Sequence, residues 1–289
     1  MSAVWTVLGV LLIGAALRDI FDTLFHPVGR GRIGRTIVGA VSWLSRRLIP
    51  GGSGEALAGP VAYLAILAFW ATTLAVGWAL IFLPHLPEGF LFASGLEPAD
   101  HSGFADAFYV SLVNLTSLGY GDVTPQETVL RILGPVETLF GLGLLTASIS
   151  WLISIYGAIA RRDVFAHEVW LARESEERLG EKLADADPEL LERMLTSFTD
   201  QLITTRRDII HFPITHQFRT EGEERELAKQ LPFLGRMADE AAEDGRPQAL
   251  RVRARMLRMA MDDFAETLRR RLKVRGDSTD ATLDAFGAR

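Results

Sequence analysis

The residue types and spacing that most directly indicate chemistry lie at positions 116–122. This segment holds a hydroxyl pair, a Gly-Tyr-Gly triplet and a carboxylate, in the order Thr116, Ser117, Leu118, Gly119, Tyr120, Gly121, Asp122. Glycine takes positive φ without strain, so two glycines around one residue let φ alternate in sign and turn successive carbonyls to one side. A ring of such carbonyls, contributed by several strands, replaces the water shell of a bare cation. The segment therefore predicts a cation site made of main-chain oxygens.

The rest of the sequence does not indicate enzymatic chemistry. It has no Cys, which excludes disulfides, thiolate metal sites and cysteine nucleophiles. It also lacks a nucleophile elbow, a phosphate-binding glycine loop and a cluster of metal ligands. We therefore expect no catalytic residue and no cofactor. The formal net charge of −6 is spread over both halves and gives no reason to expect a nucleic-acid partner.

A short apolar stretch at residues 105–115 precedes the candidate segment. It is too short to cross a bilayer, whose hydrocarbon core is about 30 Å thick. Such backbone is tolerated at membrane depth only where protein encloses it or where it lines water. The stretch is therefore predicted to be a half-membrane helix beside a path for a polar solute.

Charge divides the chain into two parts. Residues 1–160 hold 7 of the 30 Lys and Arg and 10 of the 36 Asp and Glu. Uncharged runs at 56–83 and 138–160 are long enough to span a membrane as helices. A third run, at 3–17, continues with helical spacing to Phe25. Its charges at Arg18 and Asp22 are four residues apart and could pair near the interface.

The run at residues 3–17 has an alternative interpretation as a cleaved signal peptide. Gly14, Ala15 and Ala16 are small residues that follow an apolar stretch, as at a cleavage site. No Lys or Arg precedes the stretch, however, which favours a retained spanning helix.

The loop charges predict the orientation of these helices. Between residues 26 and 59 there are five Arg and one acid, whereas residues 84–106 carry four acids and no Lys or Arg. By the positive-inside rule the first loop is cytoplasmic, the second external, the N-terminus outside and the tail inside. We expect this multi-pass protein to lie in the cell membrane.

The basic loop itself contains a helical pattern. Apolar residues recur at helical spacing at Ile33, Ile37, Val41, Leu44 and Leu48. This pattern predicts an amphipathic helix lying on the anionic lipids of the inner leaflet. A short helix packed on protein is the alternative.

Residues 116–122 resemble the selectivity filter of potassium channels. With an outer helix, a pore helix and an inner helix around it, the stretch from about 57 to 160 resembles the pore-loop potassium channel family. The resemblance implies that K⁺, as the permeant ion, is bound by the carbonyls of Ser117, Leu118, Gly119 and Tyr120, with the Ser117 hydroxyl added. It implies a homotetramer, because one segment per chain cannot surround an ion. The retained Tyr120 implies preference for K⁺ over Na⁺.

The pore helix and the filter's own side chains carry further expectations from the resemblance. The C-terminal end of the pore helix, capped by Thr116, would direct a negative dipole toward the ion path. Ser117 stands where Thr is usual and lacks the methyl that braces the rotamer. Leu118 replaces Val or Ile and is expected to point away from the pore into packing behind it.

Two residues outside the filter are predicted to support it. Some bacterial members place a Glu at position 113 that couples to the filter Asp, whereas this chain has Val113. Asp122 is therefore expected to reach Tyr109 instead. Glu137 is expected to be a buried carboxylate behind the filter, paired with Arg131 or a backbone donor.

The inner helix contains a candidate hinge. Gly141 follows Asp122 at the spacing of the family's hinge glycine, so bending at Gly141 and Gly143 could open the inner mouth. Close helix packing by small residues explains the same glycines equally well. No helix carries Arg at every third position in an apolar background, which disfavours a voltage sensor.

The C-terminal part is predicted to be a helical domain. Helices are expected at 163–184, at 188–210 starting with Asp187 before Pro188, at about 223–243 with an interruption at Pro232, and at 248–273. The last has a heptad seam formed by Leu250, Ala254, Leu257, Met261, Phe264 and Leu268. We expect this seam to pack inside a bundle of the tail's own helices, the alternative being a coiled coil between subunits. Residues 276–289 are expected to be frayed.

These patterns together predict an all-α integral membrane protein with a potassium-channel-like pore and a cytoplasmic helical bundle. Its predicted regions are an N-terminal transmembrane helix at 1–26, a basic cytoplasmic loop at 27–55, a pore domain at 56–162 and a cytoplasmic helical domain at 163–289. The predicted function is passive, K⁺-selective conduction, gated through the tail by a ligand or protein that the sequence does not identify. The alternatives are a potassium transporter subunit and a non-conducting membrane sensor or scaffold.

Overall fold

A computed structural model of the chain describes residues 2–25, 32–48, 53–218, 222, 224 and 226–287. The described residues form helices α1 (Ser2–Leu24), α2 (Arg32–Leu48), α3 (Ser53–Phe82), α4 (Phe104–Leu115), α5 (Thr128–Leu179), α6 (Pro188–His211), α7 (Leu227–Ala241), α8 (Gln248–Thr267) and α9 (Thr279–Gly287). Two short strands, β1 (Phe90–Phe92) and β2 (Val123–Pro125), pair antiparallel. The chain divides into two compact units: a first unit of residues 1–41 and 60–153, and a second unit of residues 42–59 and 154–289.

Among the residues that the structure describes, three helices are long and apolar enough to cross a membrane. These candidate spans are Ser2–Leu24, Gly59–His85 and Thr128–Leu179, as the three apolar runs of the sequence predict. Helix α4 has 12 residues and is too short to cross a membrane, as predicted for this stretch.

In the first unit, α1 packs against α3 through small residues and one buried polar contact. A side chain at Gly9 would collide with the carbonyl oxygen of Gly77, so only glycine allows the two backbones to approach this closely. Between the same two helices, the indole Nε1 of Trp70 donates a hydrogen bond to Asp19 Oδ2 at 3.0 Å, and both side chains are buried. Arg18 and Asp22 are 3.9 Å apart, as their spacing predicts.

Helix α2 coincides with the predicted amphipathic helix. Its described side chains include the exposed Trp43 and Leu44, and the guanidinium of Arg47 lies 5.4 Å from the centre of the Trp43 ring. An aromatic ring beside a cation on an exposed apolar face is typical of helices that lie at a membrane interface.

In the second unit, the helices close around one apolar core. Each helix from α5 to α9 contributes to it, for example through Phe165, Leu195, Leu234, Phe264 and Leu283. All six residues of the predicted seam, five in α8 and Leu268 directly after it, are buried within this single chain. The prediction of an intrasubunit bundle is therefore confirmed for this seam.

Helix α6 begins as its sequence predicts. Asp187 accepts hydrogen bonds from the backbone N–H groups of Glu189 and Leu190 at 3.0 and 3.2 Å, and Pro188 occupies the first helical position. These contacts satisfy donors that the start of a helix otherwise leaves unpaired.

Three boundaries in the tail were predicted wrongly. Residues 163–179 do not start a new helix but continue α5, because the charged pair Arg161-Arg162 changes the solvent preference of the helix without breaking it. Pro232 does not interrupt α7, since burial of Leu231, Phe233 and Leu234 on both sides outweighs the roughly 3 kcal/mol cost of an internal proline.

The third error concerns the last residues. They are not frayed over their described part but form α9, with Thr282 and Leu283 buried. The Thr282 hydroxyl donates to the Ser278 carbonyl at 2.6 Å and accepts from Arg269 Nη1 at 2.9 Å. Tertiary packing of one leucine and one threonine thus orders a segment whose composition looks polar.

Candidate functional site

Helix α4 has defined ends, which fix where the 116–122 segment starts. At its N-terminus, the Asp106 carboxylate accepts a hydrogen bond from the Gly103 N–H at 3.1 Å. At its C-terminus, both the N–H and the hydroxyl of Thr116 donate to the Leu112 carbonyl, at 3.0 and 2.7 Å. Thr116 is therefore the C-cap that the sequence predicted, and the helical hydrogen-bond pattern stops there.

Beyond Thr116 the sign of φ alternates from residue to residue. Thr116 has φ −84°, whereas Ser117, Gly119 and Gly121 have φ +60°, +56° and +76°. Leu118 and Tyr120, which lie between them, do not have positive φ. The two glycines serve as expected, but the positive φ of Ser117 was not predicted, because serine rarely adopts this conformation and gives no sequence signal for it.

The segment is tied back to the end of α4 by its own backbone. The N–H of Ser117 donates to the Asn114 carbonyl, and the N–H of Leu118 donates to the Val113 carbonyl, both at 3.0 Å. These contacts use the amide hydrogens, so they leave the carbonyl oxygens of residues 117–120 available for another partner.

Side chains of the segment lie on the surface of the single chain. Leu118 is 54% exposed and Tyr120 is 67% exposed. The packing that was expected behind Leu118 is therefore not supplied by the chain that carries it. Two large side chains are thus exposed on either side of Gly119.

Asp122 makes the contact that the sequence predicted. The Tyr109 hydroxyl donates to Asp122 Oδ2 at 2.6 Å, and Asp122 Oδ1 accepts from the Val123 N–H at 3.0 Å. The Asp122 carbonyl accepts from the Ala93 N–H at 2.7 Å, next to the β1–β2 pair. The C-terminal end of the segment is thus held by α4 on one side and by the strand pair on the other.

Glu137 is completely buried, as predicted, but its partners differ from those predicted. Its carboxylate accepts from the Ser111 hydroxyl at 2.5 Å and from the Asn114 amide at 3.2 Å, rather than from Arg131 or a backbone donor. Ser111 and Asn114 were not predicted from the sequence. Their spacing of three residues on a short apolar helix was the available signal, since it puts two polar side chains on one face.

The two candidate hinge glycines have different surroundings. A side chain at Gly141 would collide with the carbonyl oxygen of Leu115, at the end of α4, whereas the space around Gly143 is open within the described chain. Close packing therefore explains Gly141 in this conformation. Bending at Gly141 and Gly143 remains a prediction.

Residues 65–157 match the sequence model of a protein family described as Ion channel. The match includes most of α3, all of α4, the 116–122 segment and the part of α5 that precedes Arg161. It confirms the resemblance to pore-loop channels. Together with the three candidate spans, it confirms the predicted fold class of an all-α integral membrane protein.

The chain is also similar to a curated protein, the uncharacterized membrane protein YdjJ of Bacillus subtilis (strain 168). The two are 31% identical over 172 residues, which are 58% of this chain and 49% of the relative. The chain therefore spans about half the length of that relative. No solved structure matches the chain.

Proposed function

We propose that this chain, whose residues 65–157 match an ion channel family, is a passive K⁺-selective channel whose filter is formed by residues 116–122 of four identical subunits. The observation that carries the proposal is the alternation of φ from Thr116 to Gly121. Alternating φ turns successive peptide units so that their carbonyls can face one side, which is the arrangement a dehydrated cation needs.

Several copies are needed to supply the oxygens that surround an ion, and the number four comes from the resemblance to potassium channels. One chain supplies one strand of carbonyls, at Ser117, Leu118, Gly119 and Tyr120, and a single strand leaves most of an ion uncovered. A cyclic homotetramer closes the ring. The exposed Leu118 and Tyr120 side chains support this assembly, because neighbouring copies would cover them.

The supports of the filter are the contacts at its two ends. At the outer end, the hydrogen bond from Tyr109 fixes the Asp122 carboxylate. At the inner end, Glu137 holds the side of α4 through Ser111 and Asn114. The negative end of the α4 dipole, at Thr116, adds an electrostatic preference for cations in the ion path.

The orientation and lipid contacts are those that the loop charges favour. The arginine-rich loop lies on the cytoplasmic side with α2 on the anionic inner leaflet, the N-terminus is outside and the helical tail is cytoplasmic. In this proposal residues 1–26, 27–55, 56–162 and 163–289 act as anchor helix, interfacial loop, pore and regulatory domain.

Gating through the tail is supported by contacts around the segment 212–218 in the second unit. Arg162 of α5 donates hydrogen bonds to the carbonyls of Thr215 and Phe218, at 3.0 and 2.9 Å. The Phe218 ring packs edge-on against Tyr156, with ring centres 6.0 Å apart. A Cβ at Gly59, near the start of α3, would lie 2.7 Å from the same ring.

These contacts join the tail to both helices of the pore. Nearby, Arg161 and the buried carboxylate of Asp208 on α6 are 2.8 Å apart. A tail rearrangement that moves residues 212–218 must therefore displace α5 or break buried contacts, so the tail can exert force on the inner helix. In this proposal, Gly141 and Gly143 let α5 bend in response.

Flux from liposomes tests the proposal against its alternatives. The purified protein, reconstituted with a K⁺ gradient and then with a Na⁺ gradient, is expected to give a K⁺-selective leak that Ba²⁺ blocks. A non-conducting sensor or scaffold gives no leak. A transporter subunit gives flux that saturates at low ion concentration and does not follow membrane voltage as a passive pore does.

A further inference from the structure

One carbonyl oxygen in the first unit joins the 116–122 segment to the inner helix. The Asn114 carbonyl accepts from the Ser117 N–H at 3.0 Å and from the Thr138 hydroxyl of α5 at 2.9 Å. The second acceptor near this hydroxyl, the Gly134 carbonyl of α5 itself, is farther away at 3.2 Å. The first of these partners begins the alternating segment, and the second belongs to the helix that would move on gating. A displacement of Thr138 therefore acts on the same atom that holds Ser117.

The side chain of Asn114 is held by the neighbouring residue of α5. Its amide donates to Glu137 Oε2 at 3.2 Å, while Ser111 donates to Glu137 Oε1 at 2.5 Å. Ser111 and Glu137 are both fully buried, so water cannot replace these bonds when one partner is lost. Two consecutive residues of α5 thus hold both the side chain and the carbonyl of Asn114.

Backbone packing keeps the two helices at this distance. Gly141 lies against the carbonyl of Leu115 so closely that no side chain fits, and a Cβ at Gly134 would be 3.6 Å from the Asn114 amide nitrogen. Gly134, Glu137, Thr138 and Gly141 all belong to α5, so one helix meets the end of α4 through four of its residues.

We infer that Glu137 and Thr138 are positioning residues for ion selectivity: by holding Asn114, they set the placement of Ser117 and hence of the innermost carbonyls. The inference rests on the proposed function, because it assumes that residues 117–120 bind the permeant ion. It goes further by assigning selectivity to two side chains that do not touch the ion.

The test uses four variants of the full-length protein, reconstituted as assembled tetramers, and measures the K⁺/Na⁺ permeability ratio from reversal potentials. Glu137→Leu keeps the volume but removes both acceptors, and it is expected to lower the ratio about tenfold or more. Thr138→Val keeps the shape but removes the hydroxyl, and it is expected to lower the ratio about threefold. Glu137→Gln keeps an acceptor oxygen for Ser111, and rotation of the Asn114 amide restores the second bond, so a ratio near that of the wild type is expected.

The fourth variant, Thr73→Val, is the matched control. Thr73 lies in α3, and its hydroxyl donates only to the Phe69 carbonyl of its own helix, at 2.7 Å, in the described chain. It removes the same group from a membrane helix without touching α4, and its ratio is expected to be unchanged. A merely structural role for Glu137 and Thr138 would lower the yield of tetramers but leave the ratio per channel unaltered.

The outcomes separate this inference from the proposed function. A wild-type protein without K⁺ preference ends the proposed function before any variant is compared. A selective wild type with unaltered ratios in assembled Glu137→Leu and Thr138→Val channels overturns the inference alone, as does an equal fall in Thr73→Val. If Glu137→Leu does not assemble, the isosteric Thr138→Val decides in the same way.

Discussion

The two units of the chain differ in how many large apolar side chains they leave exposed. In the second unit, α5 to α9 enclose a continuous apolar core, and residues such as Leu257 and Phe264 are fully buried by the chain itself. In the first unit, α5 leaves a row of large apolar side chains exposed at helical spacing, at Leu139, Leu142, Leu145, Ile149 and Ile153. An exposed apolar face of this length needs lipid or further protein against it. The tail therefore has a closed apolar core of its own, whereas the first unit leaves an apolar face that lipid or further protein would cover.

The two units also differ in whether water reaches their polar contacts. The tail carries ion pairs that water reaches, such as Lys182 with Glu240, and pairs of this kind contribute little each. The membrane region has few charged residues, and two of its carboxylates, Asp19 and Glu137, are buried with hydrogen-bond donors. Buried carboxylates in a membrane are costly to leave unpaired, so they mark positions where the structure depends on one specific contact.

The largest effect that would sharpen this contrast is expected at Tyr120. Tyr120→Ala removes the side chain that neighbouring copies are proposed to cover, so the carbonyl ring loses its packing and the preference for K⁺ over Na⁺ falls by about 100-fold or is lost with conduction. Tyr120→Phe, which keeps the ring, is the control and is expected to stay within about threefold of the wild type. Reversal potentials of reconstituted channels and the size of the detergent-solubilised assembly are the measurements. Unchanged discrimination in Tyr120→Ala would remove residues 117–120 as the ion site.

A feature of either unit could be predicted from the sequence where its pattern lies within one helix or one short segment. The spanning helices follow from uncharged runs, and the seam of α8 follows from spacing, because both patterns lie within one element. The 116–122 segment was found because two glycines around a tyrosine form a short motif. The contact of Asp122 with Tyr109 was also anticipated, because the resemblance shows Val113 where some family members have the Glu that pairs with this Asp.

The missed features depend on distant partners. Glu137 is 26 residues from Ser111 and 23 from Asn114, and the pattern around it does not say which buried donor it will meet. The same holds for Trp70 and Asp19, which are 51 residues apart. Pro232 was misjudged because helix propensity is a local preference, and packing of the flanking leucines overrides it.

The next largest effect tests whether the tail regulates opening of the pore. Removal of residues 163–289 is expected to change the open probability about fivefold or more, the lower range of coupling between two sites, while the K⁺/Na⁺ ratio stays constant. Phe218→Ala is the point version, because that ring contacts Tyr156 and lies against Gly59. Met259→Ala, at an exposed tail position, is the control. Single-channel records that match the wild type in the first two variants would show that the tail does not regulate the pore.

A third effect is confined to the tail and tests whether the stability of the tail comes from its own apolar core. Phe264 is fully buried in α8, so Phe264→Ala is expected to lower the free energy of unfolding of the tail by about 3–5 kcal/mol. Met259, on the same helix, is 67% exposed, and Met259→Ala is expected to change it by less than about 0.5 kcal/mol. Hydrogen exchange of the amides of α6 and α8 in the full-length protein gives both values. Equal protection in the two variants would contradict the single closed core.

The smallest effect concerns an exposed ion pair of the tail and has a defined dependence on pH. Lys182 Nζ is 2.7 Å from Glu240 Oε1, and this hydrogen bond, together with the charge of Glu240, raises the pKa of Lys182 above its usual value. A group whose pKa is raised by folding stabilises the fold fully below its unfolded pKa, about 10.4 for lysine, and loses that contribution as pH rises through the folded pKa. Lys182→Met should therefore lower tail stability slightly and constantly between pH 7 and 9, and the gap to the wild type should close above about pH 10.5. Thermal unfolding of the two proteins across this range measures the gap, and a gap that persists at the highest pH would assign the loss to the packing of the lysine stem rather than to its charge.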